Sequence, residues 1–468
     1  MIGSGAGGGL TSAMLAEQGR RTTVVEEGPW VDPDLYEPFS RDEMRLKYRH
    51  RGLSATLGRP PIAFVEGRCV GGGTEINSGL YHRPPPELLR EWRDRYQIVD
   101  FDPAALQEHV EEIERALSVS RLPIATPPAS AVLERGAGKL GWEALEVPRV
   151  FKYGTGGTSS HGIKQTMTRT FIPRAMAAGA TIIPRCRVVR LIRKGRRIEG
   201  AVCRLEREDG IGERITLLAE EVFLCAGAIQ TPALLQRSGI FRNIGKGLKL
   251  HPTIKLAARF SETFEDHLDV PMHQVKEFAP ELTLGGAVSR RGYVALALAD
   301  GSSGISGVAD WEKIAVYYAS IRSDGSGRVL ALPGLRGAIV GYRLTEADLS
   351  RLARGLVHLT ELLFAAGAVE LYPSIAGAPP LTSPADAVTL WDRVVRADAG
   401  LMTIHLFSTV RMGQDRSQTG ADSYGRVWGF DNLRINDASL IPDSPGVNPQ
   451  GTIMAIAARN CAQFLRTS

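Results

Sequence analysis

The spacing of apolar residues predicts alternating strands and helices at the start of the chain. Residues 10–18 have the character of a helix, which Gly19 ends, and the β-branched run at residues 22–25 predicts a short strand. Residues 102–118 predict another helix, whose stripe at helical spacing consists of Leu106, Val110, Ile113 and Leu117. Such a stripe is typical of core contacts.

A hairpin and a further strand–helix unit are predicted in the middle of the chain. The predicted elements are a helix at 169–180, a strand from 181, strands at 187–192 and 198–205, a buried strand at 221–225 and a helix through 238. The basic segment 193–197 is interpreted as a solvated turn between two strands. This order predicts a small hairpin layer that returns to the first sheet.

The pattern changes between residues 251 and 395. Apolar and other residues alternate at 292–298 and at 315–321, which predicts strands of an antiparallel sheet. Residues 346–366 then predict a helix with a leucine stripe, which is more typical of a core than of a cofactor site.

The glycines at the N-terminus predict a dinucleotide-binding turn. Gly3, Gly5 and Gly8 fit the pattern G-x-G-x-x-G, which lets a pyrophosphate approach backbone N–H groups at the start of a helix. Glu26 ends the predicted strand at residues 22–25, where a ribose hydroxyl needs an acceptor. The helix and strand around the glycines favour this interpretation over a chance glycine-rich turn.

The strand that normally leads into such a turn is almost missing. A buried first strand needs about five or six residues, and only Met1 and Ile2 precede Gly3. We therefore expect a truncated first strand, with Met1 an internal methionine of a longer reading frame. The loss of a central strand would expose both of its neighbours and weaken the glycine turn.

A second glycine-rich segment and the C-terminal region carry further candidate residues. Residues 71–73 are three consecutive glycines, and Asn77 follows them in a loop whose amides can pack against a planar ring or a phosphate, although a plain turn would look similar. Near the C-terminus, His405 could accept a proton, Asn448 could contact the same atom, and Asp437 ends an apolar run. Together these residues suggest a redox site.

Composition narrows the class of protein. The chain has 468 residues, enough for two domains or one large two-lobed domain, with a net charge of +5 and a pI near 8.9. Its basic residues are scattered, which argues against a nucleic-acid face. The five cysteines are widely spaced with no CxxC, which predicts neither disulfides nor zinc and favours a cytoplasmic protein. No apolar run is long enough for a membrane span.

Taken together, the motifs resemble those of the glucose–methanol–choline (GMC) oxidoreductases over nearly the whole chain. The matching segments are the 3–8 loop with Glu26, residues 67–81 with Pro84, residues 227–239, residues 247–252, and residues 405–452. A weaker resemblance to the long-chain alcohol oxidase branch rests on residues 319–329 and 367–368.

The resemblance implies an α/β fold with a Rossmann-type FAD-binding domain and an inserted α+β substrate domain built on an antiparallel sheet. The FAD-binding domain is expected at residues 1–80, 160–250 and 396–468, and the substrate-binding cap at 81–159 and 251–395. The implied cofactor contacts are Gly3, Gly5, Gly8, Glu26, Arg68, Gly72, Gly73, Asn77, Val188, Asp437, Ala438, Pro449 and Thr452.

His405 and Asn448 occupy the family's two catalytic positions, as the base for an alcohol proton and as the residue that orients the hydroxyl. His251 is interpreted as structural. His82 could line a substrate channel, although a surface or supporting role is the more common one. The remaining histidines (His50, His109, His161, His267, His273 and His358) show no metal-ligand pattern, and no metal is expected.

The implied activity is FAD-dependent oxidation of an alcohol to an aldehyde or ketone. Where some members attach the flavin to a histidine, this chain has Ile76, so noncovalent FAD is expected. The alternatives are an inactive relative or truncated gene product, and redox-neutral hydroxynitrile lyase chemistry. The expected substrate is a small, moderately apolar primary or secondary alcohol. Trp311, Tyr317, Tyr318 and Trp391 offer aromatic surface in the substrate domain, although the sequence does not separate side chains that line a pocket from those that fill a core. Oxygen, a quinone and a redox protein all remain possible electron acceptors.

Overall fold

The computed structural model of the protein describes residues 1–37, 40–52, 54–154, 162–207, 210, 212–264, 272–301 and 304–467. His161 and His267 lie outside the described residues. The helices are α1 (Ala6–Glu17), α2 (Arg41–Lys47), α3 (Gly73–Ile76), α4 (Pro86–Tyr96), α5 (Pro103–Ala116), α6 (Pro128–Leu140), α7 (Phe171–Ala177), α8 (Gly227–Arg237), α9 (Arg291–Leu298), α10 (Glu346–Ala365), α11 (Asp386–Thr389), α12 (Trp391–Val395) and α13 (Gln450–Thr467).

The strands are short in most of the chain. They are β1 (Thr23–Val25), β2 (Ser54–Ala55), β3 (Ile62–Phe64), β4 (Val119–Ser120), β5 (Ala144–Glu146), β6 (Arg149–Lys152), β7 (Ile163–Lys164), β8 (Thr181–Ile183), β9 (Cys186–Lys194), β10 (Arg197–Glu206), β11 (Gly212–Leu218), β12 (Val222–Leu224), β13 (Lys246–Leu250), β14 (Thr253–Arg259), β15 (His273–Val275), β16 (Leu282–Gly286), β17 (Ile314–Ile321), β18 (Ser326–Leu330), β19 (Ile339–Arg343), β20 (Glu370–Pro373), β21 (Leu401–Thr403), β22 (Leu406–Phe407) and β23 (Leu433–Ile435).

A parallel sheet is built around the second residue of the chain. Strands β8 and β1 pair on one side, β12 and β23 pair on the other, and Ile2 forms parallel bridges with Val25 and Leu224 between them. The amide of Ile2 donates to the carbonyl of Phe223, and the amide of Cys225 donates to the carbonyl of Ile2. Ile2 thus occupies the central position that joins the two halves of a Rossmann-type sheet.

Helices cover the parallel sheet because its strands are apolar on both faces. Val24, Leu224 and Leu433 are buried, and α1 packs against α7 and α13 beside them. The predicted helix and strand around Gly19 are confirmed as α1 and β1. Strands β9 and β10 form the predicted hairpin, with Lys194 opposite Arg197 at the basic turn.

The second large sheet is mainly antiparallel, which confirms the expected cap architecture. Its strands follow the order β2-β3-β21-β14-β17-β16-β15-β5, and β20 pairs with β14. Helices α6 and α10 pack on one face, where the leucine stripe of α10 is buried. The opposite face turns toward the parallel sheet and forms part of a cavity.

Some sheet pairings cross the expected domain boundaries. The boundaries themselves stay predictions. Residues 54–64 and 401–403 contribute strands to the cap sheet, although they belong to the segments predicted for the FAD-binding domain. Helix α4, from the predicted cap segment, buries Trp92 and Tyr96 in the core that also contains Ile2. The chain therefore passes between the two sheets several times.

The strand predicted at residues 292–298 is wrong, because this segment forms the helix α9. Its buried residues Val294, Ala297 and Leu298 follow helical spacing, and they pack against a cluster that includes Ile314 and Tyr372. Alanine and leucine are strong helix formers, so the alternation of residue sizes was misleading here. The neighbouring prediction at 315–321 is confirmed by β17.

Candidate active site

The glycine turn between Ile2 and α1 lies at the carboxyl end of the parallel sheet. Gly3 has a φ angle of +100°, and a Cβ atom there would lie 2.3 Å from the carbonyl oxygen of Cys225. A Cβ atom on Gly7 would lie 1.9 Å from the carbonyl oxygen of Asn436. Both positions require glycine, and the turn exposes the first amides of α1 to a cavity of about 290 Å³.

The two glycine-rich segments face each other across this first cavity. A Cβ atom on Gly72 would lie 2.9 Å from the Cα atom of Gly5, and Gly5, Gly72 and Gly73 all line the cavity. Gly8 does not line it. A Cβ atom on Gly8 would lie 2.2 Å from the carbonyl oxygen of Gly3, so Gly8 allows α1 to pack closely against the start of the chain.

Glu26 lines the cavity at the end of β1. Its Oε2 atom accepts hydrogen bonds from the hydroxyl of Ser4 at 2.7 Å and the amide of Ser4 at 3.2 Å, and its Oε1 atom accepts one from the amide of Gly28 at 2.9 Å. Burial raises the pKa of Glu26, and these hydrogen bonds oppose the rise. The carboxylate therefore fixes the glycine turn against the strand end, a role for Ser4 that the motif alone did not reveal.

A charged cluster borders the same end of the cavity. Burial would raise the pKa of Glu27, but Arg49, Arg187 and Arg68 outweigh it and lower that pKa to about 2. Arg68, an expected cofactor contact, places its Nε atom 3.4 Å from Glu27 and does not line the cavity. Two nitrogen atoms of Arg237, Nε and Nη1, are buried without a hydrogen-bond partner among the described residues. Arg237 lines the cavity.

Asp437 lies at the end of β23 and joins three segments. Its Oδ2 atom accepts from the hydroxyl of Thr231 at 2.5 Å and the amide of Gly227 at 3.0 Å, and its Oδ1 atom accepts from the amide and hydroxyl of Ser439. Burial raises the pKa of Asp437, opposed by these bonds. The carboxylate lines the cavity while clamping the loop before α8.

Asn77 is held in place by both of its side-chain polar atoms. Its Nδ2 atom donates to Gln450 Oε1 at 2.6 Å, and its Oδ1 atom accepts from the amide of Gly79 at 3.1 Å. Asn77 and Gln450 both line the cavity, as do the expected contacts Val188, Ala438 and Pro449. Thr452 is buried in α13 and does not line the cavity.

His405 follows β21 and contacts a second histidine. Its Nδ1 atom lies 2.9 Å from Nδ1 of His251, and the two rings meet edge to face. The amide of Gly446 donates to Nε2 of His251 at 3.1 Å. Burial lowers the pKa of His405 to about 4, and it also lowers the pKa of His251, with His405, Lys276 and Arg322 adding to the effect. His251, interpreted as structural from the sequence, thus supports His405 directly.

Asn448 lies on the other side of His405. Its Nδ2 atom is 3.4 Å from His405 Nε2, and its Oδ1 atom is 3.4 Å from Gln274 Nε2. Gln274 also contacts the hydroxyl of Tyr318 at 3.2 Å. Burial lowers the pKa of His82 to about 3, with Lys276 and His405 adding to the effect; His82 lies beside Asn448 and Gln274 but lines neither cavity.

His405 and Asn448 lie where two cavities meet. A second cavity of about 460 Å³ separates them from the cap sheet, and both residues line it as well as the first cavity. Of the aromatic residues expected at the substrate, Tyr318 lines the second cavity and Tyr317 is buried in the core behind the sheet. A molecule in each cavity would meet at these two side chains.

Two family models match this chain, one over residues 7–253 and the other over residues 332–457, and both are described as GMC oxidoreductase. The chain belongs to the GMC oxidoreductase family. As a member, it is an FAD-dependent oxidoreductase that acts on CH–OH donors. The first cavity fits FAD, because the glycine turn, the start of α1 and Arg237, which has two nitrogens without a partner among the described residues, all line it.

Among related GMC oxidoreductases, the GMC-type oxidoreductase y4nJ of Sinorhizobium fredii is 39% identical, with 98% of this chain and 92% of the relative covered. The long-chain-alcohol oxidase FAO1 of Arabidopsis thaliana is 27% identical, with 98% of this chain and 65% of that protein covered. The y4nJ match extends over almost all of both chains.

Solved structures share the fold at lower sequence identity. Pyridoxine 4-oxidase from Mesorbium loti has a TM-score of 0.74 at 20% identity, covering 99% of this chain and 98% of that one. A formate oxidase from Aspergillus oryzae has a TM-score of 0.76 at 15% identity, covering 100% and 97%. At these identities the likeness concerns the fold, and it confirms the Rossmann-type domain with a substrate domain.

Two further features concern the part of the chain that the structure describes. Within it, no group of three or more His, Cys, Asp or Glu side chains is arranged to hold a metal ion. Among the same residues, no helix has both the length and the apolar character needed to cross a membrane. All five cysteines are buried and unpaired.

Proposed function

We propose that this GMC oxidoreductase oxidises a CH–OH group to a carbonyl with His405 as the general base and Asn448 as the residue that orients the hydroxyl. The observation that carries the proposal is the meeting of two cavities at these side chains. The substrate loses a hydride from carbon and a proton from oxygen as the C=O bond forms. Bound FAD supplies the hydride acceptor.

The burial of His405 supports its role as a base. Because burial lowers its pKa to about 4, the ring is neutral at neutral pH and has a lone pair available. An alcohol O–H is a weak acid, so proton transfer to a positioned base accelerates hydride loss. Asn448 has an uncharged donor that can stabilise the developing alkoxide.

The contacts of His251 affect which nitrogen of His405 is protonated. An amide can only donate, so Nε2 of His251 accepts from Gly446, and a neutral His251 then donates from Nδ1 to His405 Nδ1. In that state His405 carries its own proton on Nε2. Proton uptake at Nε2 requires the opposite tautomer in both rings, which leaves the amide of Gly446 without its acceptor at a cost of about 1–3 kcal/mol. A hydrogen bond from the alcohol to Nε2 can offset this cost.

The lining of the first cavity supports noncovalent FAD. We infer that the turn at Gly3 and Gly5 holds the pyrophosphate at the start of α1, that Glu26 accepts from a ribose hydroxyl, and that Asn77 lies at the ring system. Ile76, at the position where some relatives attach the flavin, lines this cavity and has no nucleophilic atom. Acid precipitation should therefore release the flavin into the supernatant.

The proposal is tested by the absorption spectrum of the purified holoenzyme during anaerobic titration with alcohols. We expect one class of alcohol to bleach the oxidised flavin bands with release of the matching carbonyl. A yellow protein that no alcohol bleaches would contradict the proposed oxidation. Admission of oxygen, a quinone or a redox protein to the bleached enzyme then identifies the electron acceptor by the return of colour.

A further inference from the structure

One wall of the second cavity is a single face of the cap sheet, and it is polar. The register places Lys255 opposite Tyr318 and Thr253 opposite Ser320, so these side chains share a face. On β16, Gly285 lies opposite Tyr318 and Thr283 lies opposite Ser320. The polar side chains of this face that line the cavity are Thr253, Lys255, Gln274, Lys276, Thr283, Tyr318 and Ser320.

The intervening residues of the same strands point the other way. Ile254, Leu256 and Leu284 are fully buried, and they pack in the core that includes Leu356 and Leu359 of α10. The sheet is therefore amphipathic, with its polar face directed at the cavity instead of at solvent.

Among the residues that the structure describes, neither of the two lysines on this face forms a salt bridge with an acidic residue. The ammonium group of Lys276 donates to the hydroxyl of Thr283 at 3.1 Å. Burial lowers the pKa of Lys255 and of Lys276 to about 8, and among the described residues neither lysine forms a salt bridge with a carboxylate, although Asp300 lines the same cavity. A buried ammonium group without a counter-ion costs free energy, and an anion in the cavity would reduce that cost.

Lys276 is the lysine closer to the reaction centre. It comes directly after β15, two residues after Gln274, which contacts Asn448, and its charge lowers the pKa values of His82 and His251. Lys255 lies on β14, which pairs with β21, and its charge does not contribute to the pKa shifts of these two histidines. Arg322 also lines the cavity, but it donates to the carbonyl of Ser444 and approaches Glu91. Lys276 is thus the better placed cation for a ligand group near His405.

The other walls of the cavity are mostly apolar, but Asp300, which follows α9, also lines the cavity. They include side chains from β3, α9 and β21, among them Phe64, Leu296 and Leu401. A substrate that fills the cavity therefore contacts a polar, positively charged sheet on one side and hydrocarbon or aromatic groups on the other.

We propose that the substrate is a hydroxylated anion with an apolar body, whose carboxylate or phosphate binds Lys276 and Thr283 while its CH–OH group lies at His405 and Asn448. This rests on the proposed function and specifies its substrate class. The proposed substrate differs from the small, moderately apolar alcohol expected from the sequence. The difference arises because only the folded structure places Lys276, directly after β15, on the wall of the cavity beside the active site.

Three aromatic alcohols that differ in one substituent test the proposal: benzyl alcohol, 4-(hydroxymethyl)benzoate and 4-(hydroxymethyl)phenyl phosphate. The rate of anaerobic flavin bleaching is measured for each with the holoenzyme, and the pair 1-hexanol and 6-hydroxyhexanoate extends the series to an aliphatic body. We expect at least one anionic alcohol to bleach the flavin about 10- to 100-fold faster than its neutral counterpart at the same subsaturating concentration, as charged hydrogen bonds allow. Comparison of the carboxylate with the phosphate compound shows which of the two anions the enzyme prefers.

Lys276→Met is the test variant, and Lys255→Met is the matched control with the same loss of charge in the same cavity. Lys276→Met should remove most of the preference for the anion through a higher KM, with little change for the neutral alcohol. Lys255→Met should retain more of the preference. Flavin content and melting temperature confirm that each variant is folded, and Lys276→Arg should restore part of the preference if the charge is responsible.

The outcomes separate this inference from the proposed function. Equal or faster bleaching by the neutral alcohols would overturn the anionic substrate while leaving alcohol oxidation intact. Equal losses for neutral and anionic alcohols in Lys276→Met would overturn the role of Lys276 in binding the anion. Absence of bleaching by every alcohol, in a protein that contains flavin, would count against the proposed function itself.

Discussion

The chemistry of His405 depends on its surroundings. An exposed histidine is partly protonated near neutral pH, whereas burial lowers the pKa of His405 to about 4. His251 contacts one nitrogen of the ring and Asn448 approaches the other. The side chain is therefore neutral and oriented where both cavities meet, and it can act as the proposed base in the tautomer that has its lone pair on Nε2.

Replacement of His405 by alanine should lower kcat for alcohol oxidation by about 10²- to 10⁴-fold, the usual contribution of a general base. Flavin content should stay near that of the wild type, because the glycine turn and Glu26 are unchanged. His109→Ala, on the partly exposed side of α5, is the matched histidine control. Turnover within threefold of the wild type in His405→Ala would remove His405 from the role of base.

The pH profile of kcat/KM should report the same residue. Protonation removes the lone pair, so the rate with a neutral alcohol should be constant near neutral pH and fall as the pH is lowered through about 4. The neighbouring groups do not raise the pH at which the rate falls. His251 and His82 are kept neutral, and the positive charge of Lys276 disfavours protonation of the site. An acid limb near 6.5, with the flavin still bound, would show that His405 is not buried as described.

At the scale of elements, the site forms where strand ends meet. Glu26 ends β1, Asp437 follows β23, and both carboxylates fix loops at the same edge of the parallel sheet. The carboxyl ends of parallel strands are the usual place for a nucleotide in such folds. Their hydrogen bonds arrange the glycine turn before any ligand arrives.

Glu26→Gln should weaken FAD retention without abolishing chemistry. The side-chain amide of this variant keeps one acceptor oxygen, but it lacks the negative charge that binds the Ser4 and Gly28 donors. The Kd for FAD should therefore rise by about 5- to 100-fold. Flavin released on gel filtration measures the effect, with Glu17→Gln on the surface of α1 as the control. If flavin occupancy is the same in both variants, Glu26 does not hold the ribose.

At the scale of the molecule, the reaction centre lies between two sheets that the chain builds from interleaved segments. The core beside Ile2 contains residues from α4, β12 and α13, and the core of the cap contains residues from β3, α6 and α10. His405 and Asn448 lie between these cores and line both cavities. Motion of one sheet relative to the other would change both cavities at once.

FAD should therefore stabilise the whole molecule. A ligand that binds only the folded state adds about 2.7 kcal/mol at a concentration of 100 times its Kd. Addition of FAD to apoprotein should raise the melting temperature in a concentration-dependent way, and FMN, which lacks the adenosine half, should raise it less. Equal shifts with FAD and FMN would indicate that the turn at Gly3 and Gly5 does not bind the pyrophosphate.

Much of the cofactor domain was predictable because its signals are local. A glycine turn, the helix that follows it and an acidic strand end occur within the first 26 residues, and α1 and β1 confirm the predicted elements. Parallel strands covered on both faces are continuously apolar, so short runs such as residues 221–225 indicated β12 correctly. The strand prediction for residues 292–298 was wrong because the alternating residues there are also good helix formers. The same residues can therefore form a helix with one face in a core.

The sequence by itself determined the residue types at the site, the order of the motifs and the fold class that this order implies. Only the tertiary structure decided that His251 contacts His405, that Arg68 contacts Glu27 and does not line the first cavity, and that Lys276 lines the second cavity without a salt bridge to an acidic residue among the described residues. These facts depend on contacts between residues far apart in the chain and on burial, which local spacing does not encode. The pKa of a side chain and the absence of its partner are properties of that assembled environment.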